Sequence, residues 1–293
     1  MKLVSVIVSI FREPIDYISN ALNSILNQSY PNIEIIIVVD NPSLGGDVLE
    51  YLRSISNQNR KVKLIFNENN LGLPMSLNVA IDHAEGDYIA RMDADDISSL
   101  ERLSVQVEYL ERNKDFDLVG SRITLIDDRS QVIGKRNPPS VANRKSIRYS
   151  TLAFHPTWCG KTEVFKKLKY RNFKYSQDLD FLHRFLDEGY SLKNLDLYLL
   201  RYRITTENFN ANKRLMQFLI SKSIRDCFSK SCGSFEQISN HVQRLQENEE
   251  ASNFFLEYDG EFLKSRYGMM VSCIYSKYHR EILKNVLICK AFR

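Results

Sequence analysis

The chain is predicted to adopt an α/β fold with a mostly parallel central sheet, on three observations. Short β-branched runs alternate with amphipathic helical patterns through the first hundred residues, the signature of a βαβ series. The run Ile33-Glu34-Ile35-Ile36-Ile37-Val38-Val39 is too β-branched for a helix of that length. Beyond Thr205 the strand signals stop, so residues 206–293 are expected to form a helical C-terminal region behind a domain spanning 1–205.

The elements follow in order. Residues 3–10 read as a buried strand and 15–26 as a helix with apolar spacing at Ile18, Leu22, Ile25 and Leu26. A strand over 33–39, a helix over 46–56, a strand over 62–66, a helix over 74–84 and a strand over 88–92 continue the series. Pro74 falls in a first helical turn, where its missing N–H costs nothing. Ser98 and Glu101 have capping-box spacing ahead of a helix over 100–113. From 118 to 205 the pattern becomes irregular, with short strands at 118–120, 123–126 and 195–203 and helices at 161–168 and 178–188. The first 115 residues thus form one half of the domain and 116–205 the other.

With 293 residues, 43% hydrophobic and 26% charged, the chain is long enough to bury a core in one large domain with an appendage. No stretch approaches the roughly 18 apolar residues of a spanning helix, and Met1-Lys2-Leu3 leads straight into a strand, so a cytoplasmic protein is expected. The five cysteines are odd in number and contain no C-x-x-C pair, which fits neither a disulfide framework nor a zinc site. Charge is uneven: residues 1–100 carry 7 Lys/Arg against 13 Asp/Glu, and residues 101–293 carry 33 against 23. An acidic first third suits a cation site, and a basic remainder suits phosphates or an anionic membrane surface.

The acidic residues cluster where such a site is useful. Asp93, Asp95 and Asp96 follow the strand at 88–92 and precede a helix, at the strand end where open α/β sheets bind ligands. Such dense negative charge needs a cation or strong donors to offset it. A calcium loop of the EF-hand type is excluded, because its sixth position is Ser98 rather than glycine and its twelfth is Ser104 rather than glutamate. Few protein carboxylates suit Mg²⁺ or Mn²⁺ shared with substrate phosphates, which points to a nucleoside diphosphate compound. Neither G-x-G-x-x-G after the first strand nor G-x-x-x-x-G-K-[ST] anywhere is present.

These pieces resemble the family 2 glycosyltransferases of GT-A fold, of the kind used in bacterial O-antigen, capsule and exopolysaccharide assembly. The matching segments are Val4 to Phe11, Ser24 to Pro31, Glu34 to Asp40, Asn70-Leu71-Gly72-Leu73 and Gly86 to Asp96, with a weaker match through His155-Pro156-Thr157 and Gln177 to Phe181. The resemblance implies a metal-dependent, inverting transfer of a hexose or N-acetylhexosamine from a nucleotide diphosphate donor, UDP-linked, to a saccharide acceptor. It places Ser9, Phe11 and Asp40 at the nucleobase, Asp93 at the ribose and metal, Asp95 and Asp96 at the metal, and Asp178 as the general base. Three departures stand out: Phe11 replaces a commoner Tyr, Arg12 an Asn, and Gln177 the Glu beside the base.

The acceptor side is read more openly. His155, Trp158 and Gln177 are candidates for contact with acceptor or diphosphate, while a packed core histidine and a core tryptophan are equally open readings. Asp178 has the alternative of a helix N-cap followed by an exposed Asp180. The segment 262–292 carries apolar residues at helical spacing among lysines and arginines; packing on the catalytic domain and docking on an anionic membrane both remain open. The acceptor implied is a polyprenyl-diphosphate-linked saccharide at the inner face of the cytoplasmic membrane, and no nucleic-acid partner is expected. A sugar nucleotidyltransferase would want a glycine-rich phosphate loop, and an inactive sugar-binding subunit would have lost Asp95 or Asp178.

Overall fold

β2 (Ile33–Val39) is buried along its whole length, which is why its sequence shows no polar alternation: helices cover both faces of the sheet there. β1 (Val4–Ile10) lies parallel between β2 and β4 (Tyr88–Asp93), and β3 (Val62–Phe66) lies parallel beyond β2. This computed structural model describes residues 1–140 and 152–205, Ile147, and scattered helical positions between 217 and 240. Most of the expected helical region from 206 onward, including all of 262–292, lies outside the described residues. Residues 1–144 with 152–208 form one compact unit, and residues 145–151 with 209–293 form a second.

Within the first unit the strand order is β3-β2-β1-β4, followed by β8 (Cys159–Lys161), β6 (Leu118–Ile126), β9 (Leu192–Arg203) and β5 (Ile97–Ser98), with β7 (Val132–Arg136) paired to β6. The chain winds outward from β1 to β3 and then returns to place β4 on the other side of β1, so the β1–β4 junction is the switch point of the sheet. Past β4 the sheet becomes mixed. β8 is antiparallel to β4 and β6, and β9 runs parallel to β6. The short β5 and the edge strand β7 are antiparallel to β9 and β6.

The helices form where apolar spacing gives each a face to bury. α1 (Ile15–Leu26) places Ile18, Leu22 and Ile25 in the core, each burial worth about 1.5–3 kcal/mol before entropic costs. α2 (Gly46–Gln58) and α3 (Leu73–His83) complete the βαβ series, and Pro74 does fall in the first turn of α3. Gly86 stands at the entry to β4 because a Cβ there would lie 2.7 Å from Ser5 Oγ and 2.8 Å from Leu3 O.

One capping expectation is corrected. α4 spans Arg102–Arg112, so Ser98 and Glu101 make no capping box; Ser98 belongs to β5, and Glu101 caps without a side-chain hydrogen bond. The helix begins later, and a first-turn donor, the Leu103 N–H, is met by Gln28, whose Oε1 accepts it at 3.0 Å while its Nε2 donates to Ser99 O at 2.6 Å. α5 (Thr162–Leu168) and α6 (Gln177–Asp187) then lead to β9, and the strand pieces expected at 118–120 and 123–126 merge into β6.

Candidate active site

The parallel register sets the frame of the site. Ser9 and Asp93 are paired residues across β1 and β4, and Asp40 N–H donates to Ile10 O at 2.8 Å just past the end of β2. Ser9, Phe11, Asp40 and Asp93 therefore gather at the C-terminal edge of the switch point. Arg12 covers one face of the Phe11 ring at 4.5 Å from its centroid, so the Arg at that position adds a cation beside the ring. Asp40 is buried, and its carboxylate is already engaged: Oδ1 accepts Asn67 Nδ2 (2.7 Å) and Leu71 N–H (2.8 Å), and Oδ2 accepts Gly72 N–H (2.8 Å). Gly72 sits at φ +80°, a backbone that favours glycine, and the turn it allows presents these amides to Asp40.

Asp93, Asp95 and Asp96 each offer a carboxylate oxygen, and these oxygens all lie within 4.8 Å of one another. Burial, followed by the charges of Asp93 and Glu13, pushes the Asp95 carboxyl up to about 7. Burial, then Asp93 and Asp95, pushes Asp96 well above the usual carboxylate range. Asp96 Oδ1 accepts the Arg203 backbone N–H at 2.8 Å, whereas Oδ2 is buried and has no partner among the described residues. An orphan buried oxygen in a set of closely spaced carboxylates fits a hard divalent cation such as Mg²⁺ or Mn²⁺.

Three residues that the sequence did not single out complete this cluster. Glu13 turns back from the start of α1 so that Oε2 accepts the N–H groups of Phe11 (2.8 Å) and Arg12 (3.2 Å), and burial raises its carboxyl despite those bonds. Arg91 is 2% exposed and forms an ion pair with Asp93. Arg203 is buried at the end of β9 and ties the acidic loop to its surroundings. Its Nε donates to Asp95 O (2.8 Å), Nη1 to Asp127 O (2.8 Å) and Nη2 to Ser130 Oγ (3.0 Å), with the guanidinium 4.1 Å from the Tyr17 centroid.

On the other side, Asp178 is the second residue of α6, so the N-cap position belongs to Ser176, which adopts a left-handed backbone at φ 58°. Asp180 is buried rather than exposed, held by Arg184 Nε at 2.9 Å and Arg171 Nη1 at 3.3 Å. Gln177 and Asp178 are both half-buried. Burial raises the Tyr170 phenol; Arg91 pulls it down, while Asp178 and Asp93 add to the rise. Asp178 thus lies within electrostatic reach of a residue that also senses the acidic cluster. Tyr170 Oη bonds His155 Nε2 at 2.7 Å, and burial followed by Arg91 drives His155 well below its ordinary value, leaving it neutral.

Trp158 has no exposed surface. It packs 4.6 Å from the His155 ring and 5.4 Å from Phe181, centroid to centroid, so it forms the wall of this region and presents no face on which a sugar stacks. His155 is likewise the packed, hydrogen-bonded core histidine of the two readings. Among the described residues no helix is long and apolar enough to cross a membrane.

An α/β sheet with three clustered carboxylates at its switch point places acidic side chains where sheets of this class bind ligands. The family model of Glycosyl transferase family 2 matches residues 5–171, and the chain belongs to that family. It is 35% identical over 206 residues to an uncharacterized glycosyltransferase of Methanocaldococcus jannaschii, covering 69% of this chain and 71% of that one. It is 30% identical over 238 residues to the O-antigen biosynthesis glycosyltransferase WbnJ of Escherichia coli, covering 78% and 91%. The fold also matches S. aureus TarS 1-349 in complex with UDP-GlcNAc, with a TM-score of 0.59 at 19% identity over 77% of this chain and 66% of that one. A longer TarS chain is covered over 40% of its length. The GT-A expectation for the fold holds.

Proposed function

We propose that the chain is a metal-dependent, inverting glycosyltransferase that moves a hexose or N-acetylhexosamine from a UDP-linked donor to a saccharide acceptor in surface polysaccharide synthesis. The observation that carries this reading is the Asp93-Asp95-Asp96 cluster with its orphan Asp96 Oδ2, set beside Ser9, Phe11 and Asp40 at the sheet's switch point. The likeness to WbnJ, an O-antigen biosynthesis glycosyltransferase, and to TarS in complex with UDP-GlcNAc supports the polysaccharide context and the donor class.

Ser9 and Phe11 line the place of the nucleobase, and Asp40 acts there through the 70–73 turn that it holds. Asp93, Asp95 and Asp96 would hold Mn²⁺ or Mg²⁺, which when bound neutralises the leaving diphosphate, an effect worth several kcal/mol. Asp178 takes the proton of the acceptor hydroxyl as its oxygen bonds to the anomeric carbon and the carbon–oxygen bond to the diphosphate breaks. Attack from the face opposite the leaving group inverts the anomeric centre. Base catalysis of this kind contributes about 10²- to 10⁴-fold. The acceptor is a polyprenyl-diphosphate-linked saccharide, met at the inner face of the cytoplasmic membrane.

A donor panel of UDP-Glc, UDP-Gal, UDP-GalNAc, UDP-GlcNAc, GDP-Man and dTDP-Rha, run with Mn²⁺ and with EDTA, tests the reading. Release of UDP that stops with EDTA is expected. Turnover unaffected by EDTA overturns the metal assignment, and preference for a GDP or dTDP donor overturns the UDP assignment.

A further inference from the structure

Arg91 raises a question that the acidic cluster alone does not answer. Its guanidinium is buried in β4, two residues before the first carboxylate, and its Nη2 pairs with Asp93 Oδ1. Its Nε and Nη1 are also buried and have no partner among the described residues. Buried guanidinium N–H groups without acceptors are strongly disfavoured, and a guanidinium cannot shed its charge to escape the cost.

Tyr170 and Asp96 favour its charge through space, but neither accepts a hydrogen bond from Nε or Nη1. His155 is neutral and engaged with Tyr170, and Arg102 is a second cation, whose Nη2 donates to the Arg91 carbonyl at 2.7 Å. Among the described residues, Asp93 is therefore the only ion-pair partner of Arg91.

Asp93 is also a member of the carboxylate set that fits a divalent cation. A cation arriving alone must draw on the carboxylate that neutralises Arg91 and bring two further positive charges beside a fixed one. An anionic oxygen arriving with the cation reverses the balance, because Arg91 has two unpartnered donor nitrogens, Nε and Nη1, to offer it.

Resting on the metal reading above, we propose that Arg91 couples metal to donor. It opposes binding of the metal alone and donates to an anionic oxygen of the nucleoside diphosphate when both are present. Metal and nucleotide then enter as a pair, and by linkage each tightens the other by the same factor.

The probe is Mn²⁺, its free concentration followed by electron paramagnetic resonance, with and without UDP and corrected for Mn²⁺–UDP association in buffer. Wild type is expected to bind Mn²⁺ weakly alone and at least about tenfold more tightly with saturating UDP. Arg91→Gln should bind Mn²⁺ alone about tenfold more tightly than wild type, the scale of one fixed charge removed from a half-buried site. Its coupling to UDP should shrink to about twofold or less, and Arg91→Lys, which keeps the charge, should restore the weak metal-alone affinity.

Arg91→Gln that binds Mn²⁺ no more tightly than wild type, or that keeps full coupling, overturns the inference. Wild type itself decides the matter should the variant fail to fold, since equal Mn²⁺ affinity with and without UDP overturns the coupling directly. Absence of Mn²⁺ binding by wild type under every condition overturns the metal reading instead.

Discussion

Replacing Arg184 by methionine keeps the apolar stem and removes three hydrogen bonds together. These run from Nε to Asp180 Oδ2 (2.9 Å), Nη1 to Leu168 O (2.6 Å) and Nη2 to Lys169 O (2.7 Å). Asp180 has no exposed surface and would keep only Arg171, at 3.3 Å. Removing one member of a buried pair costs about 3–5 kcal/mol, and each abandoned carbonyl adds about 1 kcal/mol where water does not reach it. The remaining Arg171 offsets part of this, so a loss of about 3–5 kcal/mol is expected. For a domain of about 150–250 residues each kcal/mol lowers Tm by about 2–4 °C, which gives a fall of roughly 10 °C.

The reciprocal change should be milder. Burial raises the Asp180 carboxyl despite its two arginine partners, so the ionised group is held at a desolvation cost that pairing does not fully recover. Asp180→Asn removes that cost and leaves Arg184 on its two carbonyls, for a loss of about 1 kcal/mol. Urea unfolding followed by circular dichroism, with the slope checked for each variant, measures both. Arg184→Met within 1 kcal/mol of wild type, or Asp180→Asn costing more than Arg184→Met, refutes the reasoning.

Asp178→Asn preserves size but cannot take a proton, so transfer should fall by about 10²-fold or more with donor Kd unchanged; a native rate returns Asp178 to a structural role. Asp95→Asn should lower transfer by a similar factor of about 10²-fold at saturating Mn²⁺, while at about pH 8 without metal its urea midpoint should rise, because Asn does not carry the buried charge that destabilises wild type there; near-wild-type turnover counts against the cation site. Asp40→Ala removes the acceptor of the Leu71 N–H and one of two acceptors each for Asn67, which keeps Ser76, and Gly72, which keeps Asn70, so it should cost about 1–3 kcal/mol of stability as well as weaken donor binding; an unchanged melting curve contradicts this. The folded Asp95 value near 7 lies above its unfolded 3.8, so the fold binds the proton more tightly. The metal-free protein should therefore lose a few kcal/mol as pH rises from about 4 to about 7, and Mn²⁺ should reverse that loss; flat stability across the window would show that Asp95 is not so placed.

The parallel half of the sheet was legible because its strands are buried on both faces. That burial writes itself into sequence as the unbroken runs of β1 and β2, and the helices between them carry a 3.6-residue period. β8 escaped notice because three residues, Cys159–Lys161, are too few to show a period, although the strand joins β4 to β6. β7 is an edge strand whose Val132 and Ile133 are both exposed among Gly134, Lys135 and Arg136, so no buried face marked it. The capping box failed for a different reason. Its spacing was local, but Ser98 is drawn into β5 by pairing with β9, and the helix that starts at Arg102 is capped from 75 residues away by Gln28, which accepts the Leu103 amide.

The same division runs through the site. Asp93 ends β4 and Asp95 and Asp96 follow it directly, so their shared chemistry was visible in four consecutive residues. Their counter-charges and constraints come from elsewhere in the chain: Arg203 reaches Asp95 across 108 positions, and Glu13 reaches the cluster from the start of α1. A lone buried arginine in a strand or a glutamate after a turn has no pattern that distinguishes it from a solvated one until the tertiary fold removes the water. Trp158 shows the converse case, since an aromatic ring suits a sugar or a core equally well in sequence, and its 0% exposure decides for the core. Carboxylates that are clustered in sequence announce a cation by mutual repulsion, whereas the groups that set how tightly the cation is held act through burial and so become readable only in three dimensions.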